Sequence, residues 1–244
     1  MPKVIAVLGA GTGLGVSVAR RFGREGFRVA LVARRRERLD ALAEQLEADG
    51  IEAAGFPADL SRPADVPALL ARIREHFGRI DVIEYGPVST ELSLTPATRT
   101  DAALLEKGLP LFLLTPVEVV RAVLPEWTDR GEGAFLMTTG VTAVRPTPGL
   151  SGMAPLGAAA RNYLHALHGE LAGSGIYAGT LSVGAGIARS ELSALAAQSG
   201  SAQSSADTAE SAPEYPVVDP DDLAEQYWEM YTERDRVEQL YPQA

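Results

Sequence analysis

Four glycines lie together at a point in the chain where backbone amides could bind a phosphate. They are Gly9, Gly11, Gly13 and Gly15. They follow the apolar run Val4–Leu8 and precede a helical pattern, and a glycine-rich strand-to-helix turn lets a pyrophosphate approach helix N-terminal amides. The spacing GxxxGxG is met, whereas GxGxxG would need glycine in place of Leu14 or Val16. We predict a dinucleotide-binding turn that includes Thr12 and Leu14.

Consecutive arginines could bind a further phosphate. Arg34, Arg35 and Arg36 follow the second apolar run, about 20 residues after the glycine turn, where an NAD-binding protein places a carboxylate on the ribose 2'-hydroxyl. No carboxylate is present there, and guanidinium groups pair with phosphates through charge-assisted hydrogen bonds. The pattern predicts NADP(H), with Arg34 and Arg35 at the 2'-phosphate. The alternative is a solvated start to the next helix, since Glu37 continues the charged run.

A parallel sheet is needed to position these residues. Predicted strands are Val4–Leu8, Val29–Val32, Gly55–Pro57, Asp81–Glu84, Ala134–Thr138 and Tyr177–Val183, with a further short strand near Val237–Tyr241. Predicted helices are Val16–Gly26, Arg36–Asp49, Val66–Phe77, Val117–Trp127, Met153–Leu171 and Leu223–Tyr231. The alternation of the two predicts one α/β domain over residues 1–244, with a Rossmann-like, doubly wound parallel sheet of six to seven strands. Residues 193–213, rich in Ser, Ala, Gln and Gly, are predicted to form a flexible flap.

The glycine spacing in this context resembles that of the short-chain dehydrogenase/reductase family. Further segments that match the family are Ala58-Asp59-Leu60-Ser61, Gly78-Arg79-Ile80-Asp81-Val82, Ala122-Val123-Leu124-Pro125 and Gly184-Ala185-Gly186-Ile187-Ala188-Arg189-Ser190. The resemblance implies that Asp59 and Leu60 lie beside the adenine and that Gly186 and Ile187 close over the nicotinamide. It also implies that Gly86 and Pro87, at the family's Asn-Asn-Ala-Gly turn, contact the cofactor.

The family's catalytic pair is absent from the sequence. The resemblance places the expected tyrosine at Met153 and the expected lysine at Gly157, and no Tyr-x-x-x-Lys occurs anywhere in the chain. Without a substitute acid, reduction would lose on the order of 10² to 10⁴ in rate. Thr139 is the nearest match to the family's serine. Tyr85 is a candidate acid at the end of its strand, or else a residue that packs near the pocket.

Two classes of function follow from this combination. The first is an atypical NADP(H)-dependent oxidoreductase, or a redox-neutral cyclase or isomerase on the same scaffold, that acts on a small molecule. A pocket lined by Phe112, Met137, Leu150 and Met153 would make that molecule hydrophobic. The second is a non-catalytic protein that senses NADP(H). Family resemblance implies a homodimer or homotetramer built on the helices Val117–Trp127 and Met153–Leu171.

Composition narrows the remaining possibilities. The 244 residues carry a formal net charge of -10 and no cysteine, which disfavours general nucleic-acid binding and excludes thiolate metal sites. His165 and His168 are three residues apart but lack an evident third ligand, so we predict no metal site. No apolar run reaches ~18 residues and no signal-peptide pattern opens the chain, so we expect a cytoplasmic protein that binds no membrane.

Overall fold

Strands and helices alternate through the described part of the computed structural model, which comprises residues 1–89, 95–191, 193–194 and 216–242. The strands are β1 (Val4–Leu8), β2 (Arg28–Ala33), β3 (Ala53–Pro57), β4 (Val82–Tyr85), β5 (Gly133–Gly140), β6 (Ile176–Val183), β7 (Gly186–Ile187), β8 (Val217–Val218) and β9 (Glu238–Tyr241). The α-helices are α1 (Leu14–Arg24), α2 (Arg36–Ala48), α3 (Val66–Phe77), α4 (Ala102–Leu109), α5 (Thr115–Arg130), α6 (Ala154–Glu170) and α7 (Pro220–Glu233).

Seven strands form one parallel sheet in the order β3-β2-β1-β4-β5-β6-β9. The winding direction reverses between β1 and β4, and such a reversal leaves a crevice at the carboxyl ends of the strands. The short strands β7 and β8 pair separately, beyond the main sheet. The predicted doubly wound α/β domain with six to seven strands is therefore confirmed.

Helices cover both faces of the sheet, which explains why the strand β1 is apolar throughout. All five residues of β1 are buried. Helices α1, α2 and α7 pack on one face, and α3, α5 and α6 pack on the other. Trp228 of α7 lies on the first face with its ring centroid 5.2 Å from that of Phe22. Trp127 of α5 is buried on the second face, where its Nε1 donates to the Ile80 carbonyl at 2.8 Å.

The prediction missed α4 and the turn that follows it. Sequence analysis limited this helix to Val117–Trp127, whereas helical structure continues from Ala102 to Arg130 through a π-helical turn at Pro110–Leu114. The side chain of Asp101 caps α4 by accepting from the Leu104 amide at 2.8 Å. Pro110 removes a backbone donor, and the wider π turn accommodates that loss without ending the helix.

Within the described part of the chain, one helix meets the length and composition criteria for crossing a membrane. It is this continuous helix of 29 residues. A core helix of a soluble protein meets the same criteria. Here Val119, Val123 and Trp127 pack in the core beneath the sheet. Residues 195–213, most of the predicted flap, lie outside the described residues.

Candidate functional site

The glycine turn brings two loops into close backbone contact at the carboxyl end of β1. The amides of Gly9 and Ala10 both donate to the Val32 carbonyl at 2.9 Å. Gly9 has a φ of +108°, and a Cβ there would lie 2.6 Å from the backbone nitrogen of Pro87. A Cβ at Gly15 would lie 2.9 Å from the Cα of Ala10. Glycine at these two positions is therefore required for the turn to form.

The first turn of α1 is suited to an anion. Gly13 is the N-cap residue and supplies no side-chain hydrogen bond to the helix, and no acidic residue lies in the first turn. Amides at a helix N-terminus attract negative charge through their dipoles. Thr12 lies beside them, and its hydroxyl donates to the Arg189 carbonyl at 2.7 Å. The turn can thus hold a pyrophosphate, as the sequence predicted.

One cavity of about 400 Å³ follows the carboxyl edge of the sheet from β2 to β5. These two strands are three strand spacings apart, or roughly 14 Å. Predicted cofactor residues in its lining are Gly9, Gly11, Thr12, Gly13, Leu14, Gly15, Arg34, Arg35, Asp59, Leu60, Gly86, Pro87 and Ile187. Gly186 is not among the lining residues, and its amide donates to the Pro216 carbonyl at 2.8 Å, so its predicted contact with the nicotinamide stays a prediction.

The β2 end of the cavity is rich in arginine. Arg34, Arg35 and Arg38 line it, while Ala33 ends the strand with no carboxylate. Asp59 lies nearby and accepts from the hydroxyl and amide of Ser61 at 2.7 and 3.0 Å. The hydrogen bond from the Ser61 hydroxyl lowers the pKa of the Asp59 carboxyl below its ordinary value, and the positive charge of Arg34 makes a smaller contribution in the same direction. This end can therefore hold both a phosphate and a hydrogen-bond donor such as an exocyclic amine.

The β5 end carries a buried acid. Thr138 lines the cavity, and its Oγ1 donates to Glu84 Oε1 at 3.1 Å. The same oxygen lies 2.6 Å from the Tyr227 hydroxyl. Glu84 is only 1% exposed, and burial raises the pKa of its carboxyl to about 8 despite the opposing effect of the Thr138 hydrogen bond. The cavity therefore has one hydroxyl that is connected directly to a carboxyl group which is largely protonated at neutral pH.

Tyr85, predicted as a candidate acid, points away from this cavity. Successive side chains of a strand alternate between faces, so Tyr85 lies opposite Glu84, in the core beneath α5. Its hydroxyl donates to the Leu111 carbonyl, and burial raises the pKa of the phenol well above its ordinary value. Tyr85 is therefore a core residue, which differs from both the predicted acid and the predicted residue near the pocket and gives no support to a role as proton donor.

Thr139, the predicted match to the family's serine, is also directed elsewhere. Its Oγ1 lies 2.8 Å from Ser182 Oγ, which donates to Glu238 Oε1 at 2.7 Å. Arg161 of α6 donates to the same oxygen from Nε at 2.8 Å. Thr139 thus belongs to a polar cluster between β5, β6 and α6, and Thr138 is the β5 hydroxyl that reaches the cavity lining.

The positions of the missing catalytic pair lie at the start of α6. Met153 is the N-cap residue of that helix, and the Gly157 amide donates to the Met153 carbonyl at 3.0 Å. Neither residue carries an ionisable group. Met137, predicted to line an apolar pocket, is instead 2% exposed in the core. The larger aliphatic side chains in the cavity lining are Leu14, Leu60, Val88, Leu111 and Ile187.

The two histidines of α6 face different neighbours. His168 Nδ1 lies 2.8 Å from the Ala178 carbonyl, and His165 Nε2 lies 3.7 Å from Glu238 Oε2. Among the described residues, no group of three or more His, Asp or Glu side chains is placed to hold a metal.

Sequence reasoning missed several residues of the lining, among them Arg38, Lys107, Leu111, Ser190 and Glu191. One feature of the sequence could have drawn attention to Lys107: it is one of only two lysines in the chain. Lys107 lies on α4, the helix that the sequence analysis did not predict. The other missed residues come together at the cavity only in the folded chain, so no local sequence pattern predicts them.

Comparisons with known proteins identify the family of this chain. A family model described as short chain dehydrogenase matches residues 3–197. A short chain dehydrogenase of Pseudocercospora fijiensis is 28% identical over 192 residues, which cover 79% of this chain and 62% of that protein. The match therefore spans less than two thirds of this relative's length.

Solved structures share the fold. A short-chain dehydrogenase from Sphingobium yanoikuyae in complex with NADPH is 27% identical with a TM-score of 0.78, over 98% of this chain and 88% of that one. L-sorbose reductase from Gluconobacter frateurii, complexed with NADPH and L-sorbose, has a TM-score of 0.85 at 22% identity, over 98% and 94% of the two chains. The second similarity establishes the fold alone.

Proposed function

We propose that this chain, which belongs to the short chain dehydrogenase family, is an NADP(H)-dependent oxidoreductase that acts on a small, apolar molecule. One observation carries the proposal: a single cavity joins the glycine turn to a group of three arginines. A pyrophosphate and a 2'-phosphate need these two subsites on one continuous surface. The NADPH complex of the Sphingobium yanoikuyae relative supports the same cofactor.

The residues of the cavity fit this cofactor along its length. The glycine turn and Thr12 would hold the pyrophosphate, Arg34, Arg35 and Arg38 the 2'-phosphate, and Asp59 the adenine amine. When bound, the cofactor supplies or accepts a hydride. Apolar side chains in the lining, such as Leu111 and Ile187, favour an apolar substrate.

The proton must be supplied without a tyrosine and lysine pair. Reduction of a carbonyl adds a hydride to carbon and a proton to oxygen, so a donor has to lie at the substrate oxygen. We infer that the Thr138 hydroxyl turns from Glu84, to which it donates in the structure, and gives its proton to that oxygen. The protonated Glu84 carboxyl then donates its own proton to Thr138, and the resulting carboxylate takes up a proton before the next turnover. This assigns to Thr138 the role that the sequence suggested for Thr139, because only Thr138 lines the cavity.

Calorimetry and absorbance test the proposal in two steps. Titration with NADPH should give saturable binding that is tighter than with NADH. Loss of NADPH absorbance with a panel of ketones, enones and quinones should then identify at least one substrate. Binding without oxidation of NADPH by any compound would contradict redox catalysis and would favour a sensor or a redox-neutral enzyme. Absence of binding would contradict the cofactor assignment itself.

We further propose a homodimer or homotetramer that buries the outer surface of α5 and α6. The continuous helix Ala102–Arg130 is apolar, yet only 33% of its most apolar stretch is buried in the single chain. Leu114, in its π turn, is 42% exposed. Exposed apolar surface of this kind favours association with a second copy.

A further inference from the structure

Glu191 occupies a position that a phosphate would also favour. It lines the cavity at the β2 end, on the segment that follows β7. Its Oε1 accepts from Arg35 Nη2 and from Arg38 Nη1, and both contacts are ion pairs. These are two of the three arginines that line this end of the cavity. The carboxylate therefore occupies donors of two of the three arginines to which the proposed function assigns the 2'-phosphate, and it offsets one of their positive charges.

The backbone before Glu191 is fixed on the glycine turn. The Arg189 carbonyl accepts from the Thr12 hydroxyl at 2.7 Å, and a Cβ at Gly13 would lie 3.1 Å from the Cα of Ser190. Arg189 has a φ of +60°, and its Nη2 pairs with Asp219 at 2.6 Å and Asp221 at 3.0 Å. These contacts fix the backbone at Arg189 and Ser190, and so they direct the side chain of Glu191 to the arginines.

The charge state of Glu191 suits this role. Partial burial opposes ionisation, but the hydrogen bonds from Arg38 and Arg35 outweigh it and lower the pKa of the Glu191 carboxyl. The group is therefore an anion at neutral pH. A phosphate monoester and a carboxylate accept from the same guanidinium donors, so the two compete for Arg35 and Arg38. A ribose 2'-hydroxyl carries no charge and does not need those cations.

We propose that Glu191 is a specificity-determining residue that competes with the 2'-phosphate of NADP(H) for Arg35 and Arg38. This rests on the proposed function, in which those arginines bind that phosphate. Glu191 has to leave its ion pairs when NADP(H) binds, and it can keep them when NAD(H) binds. The Glu191 carboxylate therefore weakens the binding of NADP(H) more than that of NAD(H). It reduces the ratio of the two affinities.

Calorimetry of Glu191→Gln with NADPH and NADH tests this proposal. The amide keeps the shape of the side chain and removes the charge, so NADPH should bind roughly threefold to tenfold more tightly, as expected for loss of partly exposed ion pairs. Affinity for NADH should change less than about twofold. The matched control is Glu37→Gln, which removes an exposed carboxylate from the first turn of α2 beside the same arginines and should change neither affinity by more than about twofold.

The outcomes separate this inference from the proposed function. Equal NADPH affinity in Glu191→Gln and the unaltered protein, or parallel gains for NADPH and NADH, would overturn the competition while the cofactor assignment stands. An equal gain in Glu37→Gln would also overturn it, because general charge near the arginines would then explain the effect. Failure of every variant to bind either nucleotide would overturn both the inference and the proposed function.

Discussion

Glu84 is a carboxyl group in the middle of a parallel sheet, with a threonine and a tyrosine hydroxyl as its polar neighbours. Thr138 donates to it, and Tyr227 shares that threonine oxygen. Burial of an unpaired carboxylate is costly, so the protein keeps this side chain largely protonated. A buried acid that is retained beside a cofactor cavity is consistent with a role in proton supply.

Replacement of Glu84 by glutamine should make the protein more stable than the unaltered chain at high pH. The pKa of Glu84 is about 8 in the folded chain, against 4.5 as its ordinary value. Between these values only the unfolded chain loses the proton, so folding stability falls as pH rises, by about 1.4 kcal/mol per pH unit. Urea unfolding of both proteins between about pH 5 and pH 9 measures this. A pH-independent difference in free energy of unfolding would contradict the raised pKa.

Thr138→Val tests the proposed proton path. Removal of the hydroxyl at nearly constant shape should lower kcat for any NADPH-dependent reduction by on the order of 10²-fold, because the substrate oxygen loses its donor. The control is Thr139→Val, which removes the neighbouring hydroxyl that pairs with Ser182 outside the cavity lining. Steady-state kinetics should show a change of only a few fold in the control. Similar losses in both variants would indicate a structural effect on β5.

Gly9→Ala should destabilise the protein far more than Gly26→Ala. Both residues have positive φ, at +108° and +84°, and each substitution costs about 1 kcal/mol or more for that reason. Only Gly9 has backbone close to the new methyl group, with the Pro87 nitrogen 2.6 Å away, whereas no atom lies within 4 Å at Gly26. We expect a total loss of roughly 3 kcal/mol or more at Gly9, measured by urea unfolding. Equal losses would show that the Pro87 loop moves freely.

Site residues were predictable where they lie in one local pattern. The glycines of the turn and Arg34 and Arg35 follow β1 and β2 directly, so spacing alone located them. Glu191 contacts Arg35 from 156 positions along the chain, a separation that no local pattern can reveal. Thr138 and Thr139 were confused for a different reason: both are hydroxyls at the end of one strand, and only the strand's alternation distinguishes the one that reaches the cavity.

At the level of elements, proline explains the main error. Gly108, Pro110 and Pro116 indicate an irregular segment, yet Pro116 occupies the start of α5 and Pro110 the start of the π turn. Within the continuous helix, the wider π turn accommodates the backbone donor that Pro110 lacks, so the prolines do not end the helix. Strands were easier to predict. A strand that is buried on both faces forms a short, continuous apolar run in the sequence, as β1 does.

Asp101→Ala should weaken α4, the helix that brings Lys107 to the cavity. The Asp101 side chain accepts from the Leu104 amide at 2.8 Å, and loss of an N-cap of this type costs about 1 kcal/mol. Urea unfolding measures the change, and hydrogen exchange should show faster exchange in α4 than elsewhere. Asp101→Asn keeps an accepting oxygen and should retain most of the stability. A loss as large in the asparagine variant would assign the effect to charge.

At the scale of the whole molecule, the exposed part of the long helix should determine assembly. Sedimentation velocity of the unaltered protein should give a dimer or tetramer, and Leu114→Glu should shift it towards the monomer by placing a charge on the apolar contact. Val217→Glu is the control, since Val217 is 67% exposed on the separate β8 strand and should leave the assembly unchanged. A monomeric unaltered protein would contradict the proposed interface.

The two tryptophans stand on opposite sides of the sheet, one in each layer of helices. Trp127 is 1% exposed beneath one face, and Trp228 is partly exposed beside Phe22 on the other. Replacing either by phenylalanine would leave a single indole emitter, with Trp127 at the shorter wavelength. Denaturation followed by the fluorescence of each single-tryptophan protein would then show whether the two helix layers unfold together or one unfolds first.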